Sequence, residues 1–175
     1  MELKELSEKT LEIFGISKID NLGDELMRCA LSCDVDKYSA FVSLAEDLTV
    51  DWLQKIYQYY QADRKDKKQD YTPKSLAEFM SLLCGSSATT IDMCAGSGAL
   101  AIQRWNQKNT DTFTLYEIDS NVIPYLIFNM AVRNVQCIVL HADVLKDELF
   151  GSYQITKGEK YSTVKEDRYD SIIDF

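Results

Sequence analysis

Histidine occurs once in these 175 residues, at His141, and proline twice, at Pro73 and Pro124. The five cysteines (Cys29, Cys33, Cys84, Cys94 and Cys137) are an odd set that never falls into a Cys-x-x-Cys spacing. With one histidine beside them they leave too few ligands for a zinc site, and metal and redox chemistry are set aside. Cys29 and Cys33, one helical turn apart, read as two small apolar residues on a buried face. Positive charge is also scarce: 19 Lys+Arg face 28 Asp+Glu, a net −9. The deficit is spread, with 10 basic and 15 acidic residues in 1–70 and 9 and 13 in 71–175. Such a surface repels phosphate backbones, which disfavours a stand-alone nucleic-acid binder; a DNA partner requires positive charge from elsewhere. No run approaches about 18 uncharged apolar residues, the length of a membrane span. Residues 1–12 carry four acidic side chains and no apolar run, unlike a secretory leader. The chain reads as cytoplasmic.

What is present can fill a core. Hydrophobic residues make up 46% of the chain, including 10 Tyr, 7 Phe and 2 Trp. That composition excludes a disordered tail and suits one ordinary domain, or a minimal one with a helical addition.

The first 60 residues read as helical. An apolar stripe of Leu3, Leu6, Leu11, Ile13 and Phe14 stops at Gly15, a helix end. A short second helix carries Leu26, Met27, Ala30 and Leu31, and a third runs over 38–48. Thr49 stands as the cap of a fourth, on which Trp52, Leu53, Ile56, Tyr57 and Tyr60 form an aromatic core or docking face. Residues 62–70 follow, seven of the nine being Asp, Lys or Arg. They read as a solvated connector; Arg64, Lys65, Lys67 and Lys68 also make the densest basic cluster, open to phosphate.

After Tyr71 short apolar runs alternate with helical stretches. Strands are expected at 89–93, 113–116, 137–140 and 171–173, with helices at 99–107 and 121–134, Pro124 falling in the first turn of the second. This alternation predicts a parallel sheet covered on both faces, with right-handed crossovers. Residues 153–156 and 161–164 flank Lys157-Gly158-Glu159-Lys160 as a hairpin excursion.

The chemistry centres on Asp92-Met93-Cys94-Ala95-Gly96-Ser97-Gly98, between a strand and a helix. Gly96 and Gly98 permit a sharp turn and close backbone approach to a ligand. Asp92 is placed to accept hydrogen bonds across that turn or from a ligand's amine. Gln103 and Arg104 stand where a dinucleotide fingerprint would supply its third glycine. Glu117, 25 residues beyond Asp92, ends the second strand, where doubly wound folds hold ribose hydroxyls. Asp143 follows the third and can accept from an exocyclic amine such as adenine N6; Asp119 or Ser120 reads as a helix cap. Three acids on one sheet edge suit a ligand with a ribose, an adenine and positive charge, and disfavour a pyrophosphate. S-adenosylmethionine has these features, and is preferred to NAD.

Tyr71-Thr72-Pro73-Lys74-Ser75-Leu76-Ala77, the Asp92–Gly98 turn, and Glu117-Ile118-Asp119 with Asn129 and Arg133 downstream together resemble the N6-adenine DNA methyltransferases. The modification subunits of type I restriction–modification systems are the nearest likeness, with residues 52–70 similar to their charged connector. The resemblance implies an α/β fold: a helical N-terminal region, 1–66, then a partial Rossmann-like class I S-adenosylmethionine-dependent methyltransferase domain, 67–175. It further implies that Tyr71, Thr72 and Pro73 close over the methionine part of the cofactor. Asp92, Ala95, Gly96 and Gly98 would form its cradle, Glu117, with Ile118 beside it, would hold the ribose, and Asp143 with Val144 would meet the adenine. DNA and the specificity and restriction subunits are the implied partners.

The family's catalytic motif, Asn/Asp-Pro-Pro-Tyr/Phe, which grips a flipped adenine, has no counterpart. The fourth strand reads Tyr169-Asp-Ser-Ile-Ile-Asp174-Phe175, with Phe175 at or just before the Asn position. The expectation is a truncated, cofactor-binding portion, inactive alone and without catalytic residues of its own. Two other readings compete: a methyltransferase for a protein or small molecule, and a non-catalytic interaction module that self-associates through its open sheet edge.

Overall fold

The structure, a computed structural model, describes residues 2–60, 72–85, 88–107 and 111–167. Four helices come first: α1 (Leu3–Phe14), α2 (Leu22–Ser32), α3 (Val35–Ala45) and α4 (Trp52–Tyr60). Helix α5 (Lys74–Leu83) leads into β1 (Thr89–Asp92), α6 (Ala99–Gln107), β2 (Thr112–Glu117), α7 (Ile123–Val132) and β3 (Gln136–Asp143). Strands β4 (Glu148–Thr156) and β5 (Thr163–Asp167) follow, and a short 3-10 helix at Ile19–Asn21 joins α1 to α2. The connector 62–70, Tyr71, the strand expected at 171–173, and Asp174 and Phe175 lie outside the described residues.

Local chemistry sets the helix boundaries. Gly15 takes a left-handed φ of +68° and donates its N–H back to Glu12, ending α1 as expected. Asp34 caps α3 through the Lys37 N–H at 3.1 Å, so that helix starts and stops three residues earlier than its apolar pattern indicates. Asp51, not Thr49, caps α4, accepting the Gln54 N–H at 2.9 Å. Helix α2 is longer than expected, and Cys33 closes it in a left-handed conformation, φ +51°. Cys29 is therefore buried and Cys33 only half-buried.

The sheet has the order β1-β2-β3-β4-β5. β1, β2 and β3 are parallel, as expected. β4 and β5 add antiparallel strands at the β3 edge, which makes the sheet mixed. The hairpin expected around Lys157-Gly158-Glu159-Lys160 is thus present.

Coverage of both faces is not observed among the described helices. Phe113, Leu115, Cys137 and Val139 face the main core with α6, α7 and the N-terminal helices. Tyr116, Leu140 and Ala142 form a separate small cluster on the other face, to which no described helix contributes. Two successive right-handed crossovers stepping the same way, β1 to β2 to β3, must place their helices on one side.

Helix α7 is the centre of that core. Every residue except Pro124 is buried, the pattern of a helix enclosed all round. Phe128 receives Phe14, Tyr38 and Phe41 edge-on, with ring centroids 5.2–5.5 Å apart, and Tyr57 of α4 meets Tyr125 at 5.0 Å. At the amino ends of β1 and β2, Arg104 pairs with Asp111 at 2.7 Å, both side chains buried. No described helix is long and apolar enough to cross a membrane.

Candidate functional site

Asp92, Glu117 and Asp143 are the last residues of β1, β2 and β3. They do not stand in a row. The register sets Asp92 beside Leu115 and Glu117 beside His141, so each acid lies two residues beyond its neighbour. At about 3.3 Å per residue the three descend a diagonal in steps of roughly 7 Å, all with the same strand parity. A diagonal of that length spans a nucleoside rather than a single ion.

The glycine turn crosses the upper end of this diagonal. The Ala95 N–H donates to Tyr116 O at 2.8 Å, continuing the pairing with β2 past the end of β1. The Gly96 N–H then donates to Glu117 Oε2 at 2.8 Å. Gly96 and Gly98 take φ of +56° and +99°, conformations that L side chains rarely adopt. A Cβ on Gly98 would stand 2.9 Å from Met130 Cε and 3.0 Å from Leu126 Cδ1. The turn is therefore pressed onto α7 and fixed before any ligand arrives.

Asp92 accepts the Cys94 N–H through Oδ1 at 3.1 Å. Its Oδ2 is buried and has no hydrogen-bond partner. Burial raises the pKa of this carboxyl, with the Cys94 N–H opposing. A buried acceptor without a donor is costly, and a cationic amine from a ligand would supply both donor and charge. The residues present thus fit the ammonium end of S-adenosylmethionine.

Glu117 also holds the turn, which its place at a strand end does not reveal. Besides the Gly96 N–H it accepts the Asp119 N–H through Oε1 at 2.7 Å, and each carboxylate oxygen keeps one further lone pair for a hydroxyl. Ile118 beside it is 55% exposed, a free apolar surface at the same edge, and its carbonyl lies 3.1 Å from His141 Nε2.

Asp143 also serves its own turn. Oδ1 accepts the Leu145 and Lys146 N–H groups at 3.1 and 3.2 Å, and Lys146 Nζ lies 3.1 Å from Oδ2. The Lys146 ammonium holds this carboxyl below the usual carboxylate range. Val144, half-buried, follows it. Thr72 and Pro73 stand immediately before α5, and Lys74 Nζ donates to Thr49 Oγ1 at 2.7 Å.

Sequence reasoning gave no role to two residues here, Ser97 and Asp51. Ser97, between the two glycines, is 2% exposed and donates to Asp51 Oδ2 at 2.7 Å. Asn129 Nδ2 donates to both Ser97 O and Asp51 Oδ1 at 2.9 Å. Asn129 and Arg133 had been singled out only by resemblance. The sequence reading set the α4 cap at Thr49, and nothing local to Asp51 hints at a partner 46 residues away.

The family model of the N-6 DNA methylases matches residues 16–171. The chain belongs to the N-6 DNA methylase family. No significant match occurs among curated proteins or solved structures. The methylase match begins just after α1, so helices α2–α4 lie within the family's region together with the glycine turn and the acid diagonal.

Proposed function

We propose that this N-6 DNA methylase chain binds S-adenosylmethionine at the carboxyl edge of β1–β3, as the cofactor-binding portion of an adenine-N6 DNA methyltransferase of a restriction–modification system. One observation carries the reading: Asp92 Oδ2, buried and partnerless, at the foot of a turn whose glycines admit a close ligand. S-adenosylmethionine, when bound, supplies an electrophilic methyl group. Asp92 takes its ammonium, with Ala95, Gly96 and Gly98 forming the cradle around it. Glu117 accepts the ribose hydroxyls, and Ile118 gives the adenine an apolar surface. Asp143 and Val144 lie at its amino edge, and Tyr71, Thr72 and Pro73 close over the methionine chain. Orientation of the cofactor is the contribution these residues make to the rate.

The 175 residues contain no Pro-Pro pair, and no catalytic residue is assigned. With its net charge of −9, DNA is held mainly by charge on specificity and restriction subunits, with Arg64, Lys65, Lys67 and Lys68 as the chain's own contribution. The reading keeps 1–66 as the helical region and 67–175 as the methyltransferase portion, and places the protein in the cytoplasm.

Titration calorimetry with S-adenosylmethionine tests it. Saturable binding, lost in Asp92→Ala and Glu117→Ala, is the expected result; a folded wild-type chain that takes up no cofactor defeats it. A second reading, a non-catalytic interaction module, has one observation in its favour. Leu76, Phe79, Leu82 and Leu83 of α5 are 48–67% exposed, a broad apolar surface for a partner. A concentration-dependent oligomer without cofactor binding would support that module instead.

A further inference from the structure

The loop between α3 and α4 is tied by side-chain hydrogen bonds to α5, α6, α7 and the glycine turn. Arg133 donates to Leu48 O at 2.9 Å and to Val50 O at 3.1 Å. Gln103 of α6 donates to Thr49 O at 2.6 Å. Lys74, next to the Thr72-Pro73 pair, reaches Thr49 Oγ1. Asp51 closes the set with the Ser97 hydroxyl on Oδ2 and the Asn129 amide on Oδ1. Asp51, Ser97, Asn129 and Arg133 are between 1% and 7% exposed, so water does not compete for these bonds.

We propose that Asp51 is a positioning residue for the cofactor: it sets the conformation of the Gly96-Ser97-Gly98 turn through the Ser97 hydroxyl and so couples the N-terminal helices to the binding site. This rests on the cofactor reading above.

The geometry is specific. Ser97 is held at two points, its hydroxyl by Asp51 and its carbonyl by Asn129. The carbonyl belongs to the Ser97–Gly98 peptide, so that peptide plane is fixed. On the other side Glu117 holds the Gly96 N–H, fixing the Ala95–Gly96 plane. Two carboxylates far apart in sequence thus clamp successive parts of one turn. Glu117 stands at the carboxyl edge of the sheet; Asp51 is buried, with Oδ2 taken by the Ser97 hydroxyl. A residue that only packed would need no hydrogen-bonding carboxyl group in a buried site. Asp51 spends the bonding capacity of a carboxylate on three donors, Ser97 Oγ, Asn129 Nδ2 and Gln54 N, two of which belong to the far side of the fold.

The test compares the full chain with Asp51→Asn, Ser97→Ala and Ile56→Val. The last trims a fully buried residue of α4 without touching the turn, and controls for destabilisation. Two quantities are read: S-adenosylmethionine affinity by calorimetry, and the amide resonances of Gly96, Ser97 and Gly98 in the cofactor-free protein. Asp51→Asn and Ser97→Ala are each expected to weaken binding about tenfold, with the double variant no weaker than the worse single one. Both shift the three amides; Ile56→Val does neither. Should Asp51→Asn fail to fold, Ser97→Ala still breaks the same bond with Asp51 intact. Affinity within twofold of wild type in the folded variants, or turn amides that do not move, overturns the proposal. A wild-type chain that binds no cofactor removes the proposed function, and the amide shifts alone then decide whether Asp51 governs the turn.

Discussion

The Gly96 N–H donates to Glu117 Oε2 at 2.8 Å, so the residue that ends β2 also holds the turn that follows β1. Turn geometry and, under the proposed function, the ribose contact therefore depend on one side chain. Glu117→Ala is expected to lower S-adenosylmethionine affinity at least tenfold and also to lower the melting temperature of the free protein. Loss of about 1 kcal/mol of hydrogen bonding corresponds to a fall of roughly 2–4 °C. Calorimetry and a thermal melt on the same preparation check both, and an unchanged melt would remove the structural half of the role.

Asp92 contributes in the opposite sense. Burial raises its folded pKa above the unfolded value of about 3.9. Its contribution to stability is therefore fully present below the unfolded value and lost as pH rises through the folded one. Asp92→Asn, which removes that charge, is expected to be more stable than wild type at neutral pH by about 1 kcal/mol. The difference should vanish below about pH 4. The variant should bind no cofactor. Melting temperatures of both proteins from pH 3 to pH 8 test the sign; parallel curves would contradict it.

Two glycines with positive φ separate crowding from backbone strain. Gly15 has nothing within 4 Å of the place a Cβ would occupy, whereas Gly98 has two side-chain atoms at 2.9 and 3.0 Å. Gly15→Ala is expected to cost about 1 kcal/mol of backbone strain. Gly98→Ala is expected to cost about 3 kcal/mol, from strain plus overpacking against Met130 and Leu126. Urea denaturation of the two variants gives the comparison; equal midpoints would show that α7 yields to the methyl group.

At the opposite end of the sheet, Asp111→Ala leaves Arg104 buried without its carboxylate. Removing one member of a buried pair costs about 3 kcal/mol. Cofactor affinity of the folded fraction is expected to stay at the wild-type value, since the pair lies at the amino ends of the strands. A large loss of affinity would mean that strain travels the length of α6.

Much of this arrangement was legible in local pattern. Gly15, Pro124 and the acids at 92, 117 and 143 announce themselves because helix ends, first turns and strand ends have narrow chemical requirements. Asp51 did not, because its partners Ser97 and Asn129 lie 46 and 78 residues away and nothing local distinguishes a cap from a clamp. The one-sided placement of helices was derivable from crossover handedness, but strand–helix alternation alone pointed to two. Glu117 was placed correctly at the end of β2, but its bond to Gly96 was not foreseen, since that bond depends on how the turn folds back.

Helix α7 has a consequence for how the chain comes apart. The same ten residues carry Phe128 under the N-terminal helices and Leu126 and Met130 under Gly98. Hydrogen exchange should therefore report a single opening event for α1–α4 and the turn, with no native-like fragment surviving on either side. A chain cut at residue 66 would not release a free methyltransferase portion; it would strip the cover from α7 and leave a sticky, unfolding remnant.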